Sequence, residues 1–172
     1  MHGLGNDFIV FDARELDNRI PDVISTAAAT ALADRHFGIG CDQILVIRPS
    51  RRADIFLQIL NSDGSASAAC GNGTRCVADH VMGKLGQDRL AIETDAGILQ
   101  SWRAVEYPNQ ISVDMGPAYL DWAAVPLASE ANTLSVDLGP LAPLPAVCHS
   151  VGNPHAVLFV DDAEAIDLGN VG

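Results

Sequence analysis

Short apolar runs alternate along the chain with polar, glycine-bearing breaks, and that rhythm predicts most of its elements. Phe8 to Phe11, closed by Asp12, reads as a strand. Pro21 to His36 reads as a helix: Pro21 suits the first helical position, Ile24, Ala27, Ala28 and Ala31 share a face, and Gly38 offers a stop. After the tight Gly38-Ile39-Gly40 connection, Gln43 to Ile47 reads as a strand and Pro49-Ser50-Arg51-Arg52 as an exposed turn. Ile55 to Leu60 is apolar on both faces apart from Gln58, the pattern of a mostly buried strand. Asn61-Ser62-Asp63-Gly64 ends it with turn-forming residues. Thr74 to Met82 is predicted helical, with Val77 and Val81 on one face and Gly83 as its end. Leu90 to Thr94 and Ile98 to Val105 flank Asp95-Ala96-Gly97 as a hairpin, and Ile111 to Met115 reads as a further strand.

The texture changes at Gly116-Pro117. Five of the nine prolines fall between residues 116 and 145, with few charges and no strong period. A domain boundary is predicted there, giving residues 1–116 and 117–172. Beyond it, Val147 to Val151 and Ala156 to Val160 read as strands separated by Gly152-Asn153-Pro154-His155.

Composition narrows the function. The 172 residues are 48% hydrophobic, enough to bury a core, and 22 acidic against 10 basic residues give a formal charge of −12. That balance argues against nucleic-acid and anionic-membrane partners, which select basic patches. No apolar run reaches the roughly 18 residues of a membrane span, and the N-terminus lacks a signal-peptide pattern. A cytoplasmic protein is expected. Cysteines at 41, 70, 76 and 148 form no Cys-x-x-Cys pair and no zinc-finger spacing with histidine, so free thiols are expected rather than disulfides or structural zinc. Gly71-Asn72-Gly73 lacks the remaining glycine of a dinucleotide fingerprint.

The stretch from Asn61 to Cys76 carries the strongest chemical signal. Cys70 precedes Gly71-Asn72-Gly73 at a predicted helix start. The first helical turn presents unpaired N–H groups and partial positive charge, which favour a thiolate and can also hold a carboxylate that glycines allow to approach. A thiol base beside a carboxylate nest suits the α-carbon of an amino acid. The competing reading of Cys70 is a small buried cysteine beside a glycine turn, and for Cys76 and Cys148 core packing is the stronger reading. Asn6, Gln43, Asn61, Asn72 and Asn153 each lie at an element end, where uncharged amides bind ammonium and carboxylate groups or simply cap a turn. His155 reads as a solvated loop histidine, and Asp161-Asp162 as a turn or helix cap.

Five runs resemble the diaminopimelate epimerases: His2-Gly3-Leu4-Gly5-Asn6-Asp7-Phe8, Gly38-Ile39-Gly40-Cys41-Asp42-Gln43, Asn61-Ser62-Asp63-Gly64-Ser65, Ala69-Cys70-Gly71-Asn72-Gly73-Thr74-Arg75-Cys76 and Gly152-Asn153-Pro154-His155. Their order and spacing agree across essentially the whole chain. Proline racemase and phenazine-biosynthesis-type isomerases are similar in fold, but the opening run and the Asp42-Gln43 motif favour the first family. The resemblance implies an α+β fold of two lobes, each a mixed, mainly antiparallel sheet curled around a central helix. In such enzymes one thiolate takes the α-proton and a thiol on the opposite face returns one, with no pyridoxal phosphate or metal. Cys70 matches the first-lobe cysteine, and Asn6, Gln43, Asn61, Gly71, Asn72 and Asn153 match the substrate-holding positions. The implied ligand is a small molecule, diaminopimelate, and homodimers are common in the family.

The family's second cysteine, in an Ala-Cys-Gly-Ser-Gly-type motif after a Glu-Arg-Gly stretch, has no match in these residues. The chain therefore reads as a first lobe (1–116) without some edge strands plus a linker and the start of a second (117–172), inactive by itself as an epimerase. Two rival readings are a non-catalytic amino-acid-binding module or pseudoenzyme, and a cysteine hydrolase, for which nothing places a histidine beside Cys70.

Overall fold

In the computed structural model, residues 1–14, 24–107, 109–139, 142, 144–167 and 169 are described. The chain divides into two compact units, Met1–Gly116 and Pro117–Gly172. Among the described residues no helix is long and apolar enough to cross a membrane.

The first unit is a seven-stranded sheet in sequential order: β1 (His2–Gly3), β2 (Asn6–Asp12), β3 (Gln43–Arg48), β4 (Ile55–Asn61), β5 (Arg89–Thr94), β6 (Gly97–Arg103) and β7 (Ile111–Asp114). The β2–β3 and β4–β5 pairs are parallel and the other four antiparallel. Helix α1 (Thr26–Ala33) lies between β2 and β3, and α2 (Gly71–Leu85) between β4 and β5. Helix α2 touches both edge strands, β1 and β7, as well as β2, β3, β5 and β6, so the sheet curls around it. This is the expected α+β architecture of a mixed, mainly antiparallel sheet around one helix.

β3 is buried on both faces because its sequence is apolar at every position from Ile44 to Ile47. Leu45 and Ile47 face α2 with Phe8, Ile55, Leu57, Ile59, Leu90 and Ile92, against Val77, Ala78, Val81 and Met82 of the helix. Ile44 and Val46 point the other way and pack with Leu60 under Ala29 and Ala33 of α1. A period of two thus serves two helices.

The boundaries differ from the sequence pattern where glycine and alanine decide them. Helix α2 begins at Gly71 and passes through Gly83, ending at the left-handed Gly86 (φ +65°). Gly83 therefore does not end it: the position is exposed and the helix gains more from packing Val77, Val81 and Met82 than one glycine costs. Helix α1 starts at Thr26, capped by Ser25 (Ala28 N–H to Oγ, 3.2 Å), and ends at Ala33 rather than His36, because Asp34 Oδ1 captures the N–H groups of His36 and Phe37. It buries Ala29 and Ala33 while Ala27, Ala28 and Ala31 are exposed; an alanine-rich segment carries little facial contrast for a sequence to show. The expected first helical residue, Pro21, lies outside the described residues. β6 stops at Arg103, two residues short of Val105.

In the second unit β8 (Val147–Ser150) and β9 (Pro154–Val157) form an antiparallel pair over a small core of Val125, Ala146 and Cys148. β9 already includes Pro154 and His155, which sequence assigned to the connection; Pro154 fits as the first residue of an edge strand. Asp162 caps a short 3₁₀ turn, Ala163–Ala165.

Candidate active site

Cys70 is the N-cap of α2. Its backbone is extended (φ −148°, ψ 101°), and its Sγ accepts the Gly73 N–H at 3.3 Å. Its carbonyl accepts both the Thr74 N–H and the Thr74 hydroxyl at 2.8 Å. Gly73 matters here because a Cβ would stand 3.1 and 3.2 Å from the two methyls of Leu45, so glycine lets the helix start press onto β3 without displacing that side chain. The result is a half-buried thiol beside the free N–H groups of a helix start. The other three cysteines are buried, at 2%, 9% and 2% exposure for Cys41, Cys76 and Cys148. Burial pushes the Cys41 and Cys76 thiols up, away from the thiolate.

The amides reach this end of the sheet through strand register. Phe8, Leu45 and Ile59 belong to the core face against α2, and two residues further on in each row stand Asn6, Gln43 and Asn61. β2 and β3 run parallel, and Gln43 pairs with Asn61 across the antiparallel β3–β4 ladder, so three apolar rows end in amides at one edge. The Gln43 Nε2 donates to Asn61 Oδ1 at 2.9 Å, and Asn61 Nδ2 donates to Ser65 Oγ at 3.0 Å. From the helix side, Asn72 Nδ2 donates to Asn6 Oδ1 at 2.7 Å. Gly71, half-buried beside Met115, is the first residue of α2. Cys70, Gly71, Asn72 and Asn6 therefore meet around the first turn of α2, with Gln43 and Asn61 joined on neighbouring strand ends.

Asn153 belongs to the second unit, in the β8–β9 connection, where its carbonyl lies 3.0 Å from His155 Nδ1. The His155 ring is exposed as expected and stacks on His149, centroids 5.1 Å apart. Three residues with a part in the geometry escape a reading of the sequence. Arg75 donates to Asn72 Oδ1, Ser65 receives Asn61, and Asp42 Oδ2 accepts from Asn6 Nδ2 at 3.4 Å. Arg75 sits three residues after Asn72 on one helix, a spacing that signals such a pair; Asp42 is 36 residues from Asn6, and no local signal reaches that far. Among the described residues no three His, Cys, Asp or Glu side chains are grouped to hold a metal ion.

Comparison with known proteins bears on the family and the fold. The profile of the family described as diaminopimelate epimerase matches residues 1–120. The diaminopimelate epimerase of Rhodospirillum centenum is 52% identical over the whole chain, which spans 58% of that relative; that of Acidiphilium cryptum is 48% identical over the whole chain, which spans 60% of it. A Bacillus anthracis phenazine biosynthesis protein of the PhzF family shares the fold, with a TM-score of 0.52 at 22% identity over 91% of this chain and 50% of its own. A family match over more than two thirds of the chain, joined to half-identical relatives along its entire length, makes this protein a member of the diaminopimelate epimerase family.

Proposed function

We propose that this chain supplies one face of a cofactor-independent epimerase that interconverts LL- and meso-diaminopimelate, with Cys70 as one of its two acid–base thiols. The observation that carries the reading is Cys70 at the N-cap of α2, half-buried, with Asn6 and Asn72 joined beside it. The Cys70 thiolate takes the α-proton: the Cα–H bond breaks, an S–H bond forms, and the electron pair spreads onto the α-carboxylate. The N–H groups of Gly71 and Asn72 and the amides of Asn6, Gln43 and Asn61 hold that carboxylate and the ammonium group; uncharged, fixed donors stabilise the developing charge without reorganising. A thiol on the opposite face then gives its proton to carbon, inverting the centre. Asn153 is assigned a substrate-holding role from its motif. The same reading places the reaction in the cytoplasm, where thiols remain reduced.

Cys41, Cys76 and Cys148 are too buried to be the opposing thiol. The 172 residues alone are therefore expected not to interconvert the isomers. The test joins them to the remaining part of the Rhodospirillum centenum relative. That chimera is expected to epimerise diaminopimelate and to exchange its α-proton with solvent, and Cys70→Ser is expected to abolish both. A folded chimera without activity, or an active Cys70→Ser form, contradicts the proposal.

A further inference from the structure

Asn6 and Gln43 are each adjacent to an aspartate, and those two aspartates are locked together. Asp7 Oδ1 accepts the Asp42 N–H at 2.9 Å, and Asp42 Oδ2 accepts the Asp7 N–H at 3.0 Å. The Asp7 carbonyl accepts the Asp42 N–H as well, at 3.1 Å. Arg35 closes the arrangement: Nη1 and Nη2 reach the two oxygens of Asp7 at 2.8 Å each, and Nη2 reaches Asp42 Oδ1 at 2.8 Å. Two carboxylates this close repel unless a cation lies between them, and a planar guanidinium serves both with a fixed fork of donors that an ammonium lacks. The backbone makes room for it. Gly40 has φ +82°, and a Cβ there would stand 3.1 Å from Arg35 Cα and 3.2 Å from its Cγ.

We infer that Arg35 is a positioning residue for the site: through the reciprocal Asp7–Asp42 clasp it fixes the starts of β2 and β3 and thereby the side chains of Asn6 and Gln43. The inference rests on the reading of those two amides as substrate-holding residues. The clasp is half-exposed, with side-chain exposures of 53%, 41% and 39% for Arg35, Asp7 and Asp42, so it contributes little to global stability. Its effect falls on local geometry. Asp42 Oδ2 is the hinge of that effect, since the oxygen that receives the Asp7 N–H also receives Asn6 Nδ2. The Arg35 guanidinium holds the Asp7 carboxyl well below the usual carboxylate range, consistent with a clasp that stays charged at neutral pH. Other titratable groups surround it: His2 stands opposite Asp7 in the β1–β2 pair, Cys41 precedes Asp42, Asp34 and His36 flank Arg35, and Arg75 backs Asn6 through Asn72.

The test follows the side-chain amide NMR signals of Asn6 and Gln43 from pH 7 to pH 4, in a His2→Gln, His36→Gln background that removes the histidine opposite Asp7 and the one beside Arg35. With Arg35 present the signals are expected to hold still. In Arg35→Gln they are expected to be displaced at pH 7 and to return as acid neutralises a carboxylate. Arg35→Gln combined with Asp42→Asn restores the net charge and is expected to restore the signals at pH 7, and Arg35→Lys to do so only in part. Melting temperatures should change little throughout. Signals unmoved in Arg35→Gln, or displaced signals that ignore both acid and Asp42→Asn, overturn the inference, as does a general loss of folding in Arg35→Lys. In the chimera, meso-diaminopimelate is expected to slow Cys70 alkylation, with Arg35→Gln weakening that protection about tenfold. A clasp that behaves as expected in a chimera whose Cys70 gains no protection refutes the proposed function, and the positioning role falls with it.

Discussion

Cys70 and Cys76 lie on one helix, about one and two-thirds turns apart, and their surroundings differ in every respect that matters to a thiol. Cys70 is the N-cap: its Sγ takes a helix N–H, and it is half-open to solvent. Cys76 is 9% exposed in the core against α2's sheet, its Sγ 3.3 Å from the His2 carbonyl, and burial drives its thiol toward the neutral form. The same side chain is a candidate acid–base group at the helix start and a small apolar filler less than two turns on. The difference comes from the helix end rather than the residue type: only there are N–H groups unpaired and the dipole positive.

The contrast can be broken from beneath. Leu45 is fully buried and its methyls lie against Gly73, so Leu45→Ala opens a cavity under the first turn of α2. A loss of about 2–5 kcal/mol is expected by chemical denaturation, with the Cys70 end loosened more than the rest of the helix. Next in size, Cys76→Ser puts a smaller, more polar group at the core edge, where the His2 carbonyl still accepts its proton, and is expected to cost about 1 kcal/mol. Cys70→Ser, by contrast, keeps a good N-cap and is expected to stay within about 0.5 kcal/mol of the parent. Equal losses at the two positions would remove the distinction. The smallest effect concerns the other end of α2. The Asp12 carboxyl is held well below its usual range, first by Arg14 and then by Lys84 of α2. A depressed folded value contributes stability above the unfolded value near about 4 and loses it as acid approaches the folded one. Thermal stability is therefore expected to fall below about pH 4, less so in Asp12→Asn.

Much of this contrast was legible in the sequence, and what was not has physical causes. The buried strands β3 and β4 announce themselves because nearly every position is apolar, and Cys70 because glycines and an asparagine follow it at a helix start. The length of α2 was hidden by Gly71, Gly73 and Gly83, which read as breakers; Gly73 lets the helix lie close against Leu45, and packing carries the helix across Gly83. Each amide was visible as an element-end residue. Their convergence was not, since it depends on Gln43 pairing with Asn61 and on β2 lying parallel to β3. The Arg35 clasp lay furthest from view, because its partners sit 28 and 7 residues away and local patterning gives charged surface residues no address.

The most direct measurement of the central claim, that Cys70 is the thiol available for chemistry, is competitive alkylation of the native chain with iodoacetamide and mapping of the modified cysteines by mass spectrometry. Modification of Cys70 is expected to outpace that of Cys41, Cys76 and Cys148 by about a hundredfold or more, since buried thiols react only on local opening. Comparable rates at all four, or Cys70 lagging behind any buried thiol, would contradict the account.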